Sequence, residues 1–113
     1  MLSFLKLSTS ASKKETGVFS TWISMDDGTM LTLNNDGKFL VEFPSVEETK
    51  TWNGHFTINE DRILFYFTGN DALCKTQMGE YAMRFPEGKL ILLEKKDKCK
   101  SRKAKMAGTW FRL

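Results

Sequence analysis

Residues 31–43 read LTLNNDGKFLVEF, two stretches of alternating apolar residues joined by the polar run Asn34-Asn35-Asp36-Gly37. A period of two places Leu31 and Leu33, then Phe39, Val41 and Phe43, on one face of a strand pair, with Lys38 and Glu42 on the other. The Asp-Gly step supplies the positive φ that a tight hairpin requires. A turn this short joins only antiparallel neighbours, because a parallel crossover needs about a dozen residues or more.

The same reading extends outward along the chain. Asp26-Asp27-Gly28, Asn59-Glu60-Asp61 and Pro86-Glu87-Gly88 mark further hairpins. Ile63, Phe65 and Phe67, then Tyr81, Met83 and Phe85, alternate with Arg62, Glu80 and Arg84. A single helix is expected over 97–106, with Asp97 as its N-cap, Gly108 just past its end, and Cys99, Arg102 or Lys103, and Met106 on its buried stripe. Thr109 to Leu113 then return to strand character.

Five of the eight glycines precede an aromatic residue by two: Gly17 before Phe19, Gly37 before Phe39, Gly54 before Phe56, Gly79 before Tyr81 and Gly108 before Trp110. Residues i and i+2 share one strand face, so each unit sets a gap beside a ring, and a neighbouring ring can fill it. Glycine kinks also let a twisted sheet coil until it closes. The expected fold is therefore all-β: a single antiparallel up-and-down β-barrel of about eight strands, with one short helix before the last strand. Residues 16–113 form the barrel domain. Residues 1–15 are an N-terminal segment, poorly ordered or packed on the barrel.

Composition narrows the chemistry. The chain has 113 residues, 41% of them hydrophobic and 27% charged, which suits one soluble domain and argues against disorder. Its longest apolar runs are about five residues, far short of a membrane span. One histidine and two cysteines leave too few parts for a zinc site or a histidine-based triad, so no metal and no cofactor is expected. The net charge of +3 is unevenly spread, since residues 95–105 (KKDKCKSRKAK) alone carry seven Lys/Arg against one Asp. The basic segment reads as a solvated helix face; without interleaved aromatics for stacking, nucleic acid is not the expected partner. In the opening stretch MLSFLKLSTSASKK the lysines follow the apolar residues, the reverse of an export signal.

With these motifs in order, the chain resembles the calycin superfamily, and within it the small bacterial lipocalin-like proteins of largely unknown function. The resemblance rests on Trp22; Leu31-Thr32-Leu33 with Asp36-Gly37 and Phe39; Gly54-His55-Phe56 with Asp61-Arg62-Ile63; Cys74 before Gly79-Glu80-Tyr81; Asp97-Lys98-Cys99 with Arg102; and Gly108-Thr109-Trp110. It covers residues 16 to 112. It differs in its opening, where Gly17-Val18-Phe19-Ser20-Thr21-Trp22 replaces a plain Gly-x-Trp. The resemblance implies a structural cation–π contact in which Arg102 or Arg112 lies over Trp22.

An eight-stranded barrel encloses either a packed core or one small ligand. The rings read as inward are Phe19, Phe39, Phe43, Phe56, Phe65, Phe67, Tyr81, Phe85 and Trp110, while Trp22 and Trp52 are read on the alternate register, as a barrel-end plug or an exposed recognition patch. The functional expectation is a lipocalin-like binding protein for a small hydrophobic or amphipathic ligand inside the barrel, with Phe39, Phe65, Tyr81, Trp110 and Trp22 at the site. The alternatives are a protein-binding module working through barrel-end loops, as an enzyme inhibitor would, and a small barrel enzyme such as a cyclase. No residue is assigned a catalytic role. His55 falls on the outer face, the turn carboxylates are solvated, and Tyr81 is the one inward group suited to acid–base work. Gly17, Gly37, Gly54, Gly79, Gly108 and Arg102 are read as structural.

The two cysteines flank two expected strands, and a hairpin that runs out and back returns its ends to the same rim. A Cys74–Cys99 disulfide is therefore expected. It implies an oxidising compartment, secreted or periplasmic, whereas a native uncleaved N-terminus implies the cytoplasm.

Overall fold

The 34–37 turn closes as its sequence requires. In the computed structural model, which describes residues 17–44, 51–67 and 77–113, Gly37 takes φ 88° and its N–H donates to the Asn34 carbonyl at 3.0 Å. The Asp36 carboxylate accepts the Lys38 N–H at 3.0 Å. The strands follow in the order β1 (Thr21–Ser24), β2 (Met30–Leu33), β3 (Lys38–Glu42), β4 (Thr51–Asn59), β5 (Arg62–Phe67), β6 (Gly79–Arg84) and β7 (Leu90–Lys96); helix α1 (Lys100–Met106) then precedes β8 (Gly108–Arg112). Every strand is antiparallel to its neighbours in the order β1 to β8, and the barrel closes where β8 pairs with β1 through Trp22 with Arg112, Ile23 with Phe111 and Ser24 with Trp110. Closure leaves no free sheet edge.

The glycines do what their spacing suggests. Phe39 stands opposite Gly54 across β3–β4, and Phe65 stands opposite Gly79 across β5–β6, so a ring covers each gap. Inside, Phe39 meets Phe65 edge-to-face with centroids 5.2 Å apart, and Phe65 meets Tyr81 in the same way at 5.7 Å. Such pairs add roughly 0.5–1.5 kcal/mol each beyond the area they bury.

Three expectations are corrected. The helix is shorter than read, beginning at Lys100 with Cys99 rather than Asp97 at its N-cap and ending at Met106, with Ala107 as its C-cap. Trp22 and Trp52 are buried core residues, not a plug or a patch. Trp52 is two residues from Gly54 in an unbroken strand, so it shares the inward face of Gly54 and Phe56. Trp22 stands opposite Leu31 across β1–β2, so it shares the inward face of Leu31 and Leu33. Of the rings read as inward, Phe19, Phe43 and Phe85 are only partly buried against the core. The side chain of Phe67, and the whole 1–15 segment, lie outside the described residues.

Trp22 and Trp110 anchor the chain by one shared device. Each indole N–H donates at 3.0 Å to the carbonyl four residues upstream, Val18 for Trp22 and Met106 for Trp110. Each ring is buried in the core, so each ties the segment before its strand to the barrel interior. The Arg112 guanidinium lies 4.7 Å from the centroid of the Trp22 ring and donates to Ser20 Oγ at 2.7 Å. The arginine over the early tryptophan is thus Arg112, not Arg102.

The ring cluster makes a direct prediction. Phe65→Ala removes the ring that touches both Phe39 and Tyr81, and chemical denaturation should show a loss of roughly 3–5 kcal/mol. A loss below about 1 kcal/mol would mean that these rings do not pack as described.

Candidate functional site

The topology divides loop-borne residues between two ends of the barrel. One end carries the β2–β3, β4–β5 and β6–β7 turns together with the stretch leading into β1. The opposite end carries the β1–β2 turn and helix α1.

The side chains expected to line an interior pocket come together, but they fill the space between them. Phe39, Phe65, Tyr81, Trp110 and Trp22 have 2%, 0%, 0%, 1% and 0% of their surface exposed and belong to the packed core. The recess among the described residues lies instead at the first end, between the β2–β3 turn and β4. It is lined by Phe19, Asn35, Gly37, Phe56 and Ile58 and holds about 220 Å³. Phe19 and Phe56 stand 6.2 Å apart with ring planes at 44°, and form one wall. The Gly37 carbonyl accepts the Phe56 N–H at 2.8 Å, fixing the turn against the strand. Asn35 brings a side-chain amide and Gly37 its backbone to the lining, so polar and apolar groups share it.

At the helix-bearing end, a buried polar cluster was not foreseen. The Asp97 and Arg102 side chains are both fully buried and form an ion pair with two hydrogen bonds, Nε to Oδ2 and Nη2 to Oδ1, each 2.8 Å. Tyr81 donates its hydroxyl proton to Oδ2 at 2.5 Å, and the Cys99 N–H donates to Oδ1 at 2.9 Å. Each carboxylate oxygen therefore accepts two hydrogen bonds, which saturates it. Room for the cluster comes from Gly79, where an added Cβ would sit 2.8 Å from Asp97 Cγ and 2.9 Å from Arg102 Nε. The sequence signal was present: Asp97 is the sole acid among seven basic residues in 95–105. It was read as a helix cap, because the helix start was placed three residues early.

The electrostatics follow from these contacts. Burial alone would raise the Asp97 pKa, but hydrogen bonds from Arg102, Tyr81 and the Cys99 N–H, with the guanidinium charge, hold the carboxyl below its ordinary 3.8. Burial, followed by the hydrogen bond to Asp97, raises the Tyr81 phenol well above its ordinary value. Its proton is committed to Asp97, so the inward group best suited to acid–base work is a structural donor. Near the helix, a hydrogen bond from Lys105 brings Asp27 down to about 2. His55 lies exposed on the outer face of β4. Among the described residues there is no group of three or more His, Cys, Asp or Glu side chains placed to hold a metal ion.

Comparison with known protein families, with characterised proteins and with solved structures gives no match to this chain.

The Asp97 cluster predicts a specific pH response. Because the folded carboxyl has a lower pKa than the unfolded one, its contribution to stability is complete above about 3.8 and is lost as pH falls through the folded value. Asp97→Asn should remove that acid-side loss and cost about 3–5 kcal/mol at neutral pH, because it leaves the Arg102 charge buried without its counter-ion. Urea unfolding of both proteins across pH 2.5 to 7, roughly the range over which a carboxyl of this kind titrates, checks both effects. Parallel pH profiles would contradict the assignment.

Proposed function

We propose that the protein is a lipocalin-like carrier of a small hydrophobic or amphipathic ligand, and that the ligand seats in the recess at the turn-bearing end of the barrel rather than among the central rings. The observation that carries this reading is the recess of about 220 Å³ in which Phe19, Phe56 and Ile58 stand beside the Asn35 amide and the Gly37 backbone, a mixed lining suited to an amphiphile. Phe19, Phe56 and Ile58 offer contact to an alkyl chain or a single ring, and Asn35 offers a hydrogen bond to a polar head. The volume is below the roughly 300–1,000 Å³ of sites for drug-sized ligands, so the favoured compounds are short-chain amphiphiles rather than long fatty acids. The antiparallel eight-strand closure and the Arg112–Trp22 stack support the lipocalin-like assignment.

Titration with octanoate, followed by backbone amide NMR, should shift Asn35, Gly37, Phe56 and Ile58 in a saturable way. Ile58→Trp, which fills the recess, should weaken binding at least tenfold, equivalent to about 1.4 kcal/mol. Shifts confined to the central rings, or none at all with short amphiphiles, would refute the site.

We further propose that Cys74 pairs with Cys99. Cys74 lies outside the described residues; Cys99 is buried at the start of α1. Support comes from the hairpin between the two cysteines, since β6 and β7 pair antiparallel and bring Gly79 back against Asp97. A bridge closing a loop of about 25 residues adds roughly 3 kcal/mol of stability. Thiol titration of the unreduced, denatured protein should find no free thiol, and two per chain would sink the bond.

A further inference from the structure

We propose that the helix-bearing end of the barrel docks peripherally on a membrane surface through anionic lipid headgroups. The surface owes its charge to the buried cluster. Asp97 and Arg102 neutralise each other in the interior, so the one acid of the basic segment offsets none of the lysines outside. Lys95, Lys96, Lys98, Lys100 and Lys103 are all exposed, and none of the five has an ion pair among the described residues.

Among the described residues, three carboxylates near these lysines are engaged by other partners. Glu94 turns back to accept the Asp97 N–H at 3.0 Å, Glu80 binds Arg62 at 2.6 Å, and Asp27 holds Lys105 at 2.5 Å. Asp26 and Glu42 belong to the β1–β3 side of this end. Lys100 and Lys103 share the outer face of α1, while Lys95 and Lys96 end β7 and Lys98 bridges the two elements. The five exposed lysines therefore lie on successive segments at this end of the barrel.

Two features favour a lipid surface over a nucleic acid. The one arginine of the segment is buried, so no guanidinium fork is offered to a phosphate or a guanine edge, and no ring interleaves the lysines to stack a base. Apolar side chains flank the lysines instead. Leu93 on β7, Met78 just before β6 and Met25 just after β1 are 42%, 36% and 57% exposed. Lysines that need only summed charge, beside apolar groups that can enter the headgroup layer, match what an anionic bilayer offers. No helix among the described residues is long and apolar enough to cross a membrane, so the contact argued for is on the surface.

The test is co-sedimentation of the full chain with phosphatidylcholine vesicles, with and without phosphatidylserine. Binding should be at least tenfold stronger with phosphatidylserine near physiological salt, and lost at about 1 M ionic strength, where the screening length falls to roughly 3 Å. The quadruple variant Lys96→Gln, Lys98→Gln, Lys100→Gln and Lys103→Gln should bind roughly 600-fold more weakly, at about fivefold per lysine. These exposed positions should leave the melting temperature unchanged; the pair Lys98→Gln and Lys100→Gln alone provides a milder variant with a proportionate loss. Equal partition to neutral vesicles, undiminished binding by either variant, or tighter binding to duplex DNA than to the vesicles at the same salt would overturn the proposal.

Discussion

The ion pair between Asp97 and Arg102 joins three parts of the chain that would otherwise only lie near one another. Asp97 follows β7, Arg102 belongs to α1, and Tyr81 reaches them from the middle of β6. Removing two charges from water costs several kcal/mol per ion, and the attraction between them offsets this only when the remaining polar positions are also satisfied. On the carboxylate they are, with two hydrogen bonds on each oxygen. A neutral pair of residues would pack with less cost but would not fix the angle at which α1 lies over the barrel end. The directional bonds set that angle, and Gly79 leaves the space in which they form.

The position of α1 determines what each end of the molecule presents. Met106 is buried beneath the helix and receives the Trp110 indole N–H at its carbonyl, so the same helix that carries Arg102 also leads β8 into the core. Lys105 ties its side to the β1–β2 turn through Asp27 and lies 5.2 Å from the centre of the Phe43 ring. With one face held by Arg102 and Met106, Lys100 and Lys103 are left facing outward. A segment whose sequence carries one acid thus displays an outer surface of lysines.

The barrel was legible in the sequence because alternation and glycine spacing are local signals. Leu31, Leu33, Phe39 and Val41 point inward as their period predicts, and Phe39 covers Gly54 as the glycine–aromatic units imply. What the sequence obscured lies where local periodicity is interrupted. Trp22 sits at the second residue of a four-residue strand behind a stretch that is not strand, too short a run for alternation to fix its face. The partnership of Asp97 with Arg102 and Tyr81 depends on a contact across the barrel end, which no window of sequence contains. The void at Gly79 was read as a gap for a ring, and Phe65 does stand opposite it; its second use, admitting a carboxylate, appears only once α1 is in place.

The central rings also decide where binding has room to occur. Trp22, Phe39, Phe65, Tyr81 and Trp110 are buried against one another and against the aliphatic residues of the strands, so the interior resembles a protein core more than a ligand chamber. Opening it would expose several aromatic surfaces together, each worth a few kcal/mol of burial. Shape can vary at lower cost at the ends, where Phe19 and Ile58 are only partly covered and the lysines are exposed. The two ends differ in character, with a recess of mixed lining at one and exposed lysines at the other. A barrel closed this tightly keeps them apart, so a small amphiphile at the recess and an anionic surface at the lysines would engage different residues of one rigid body.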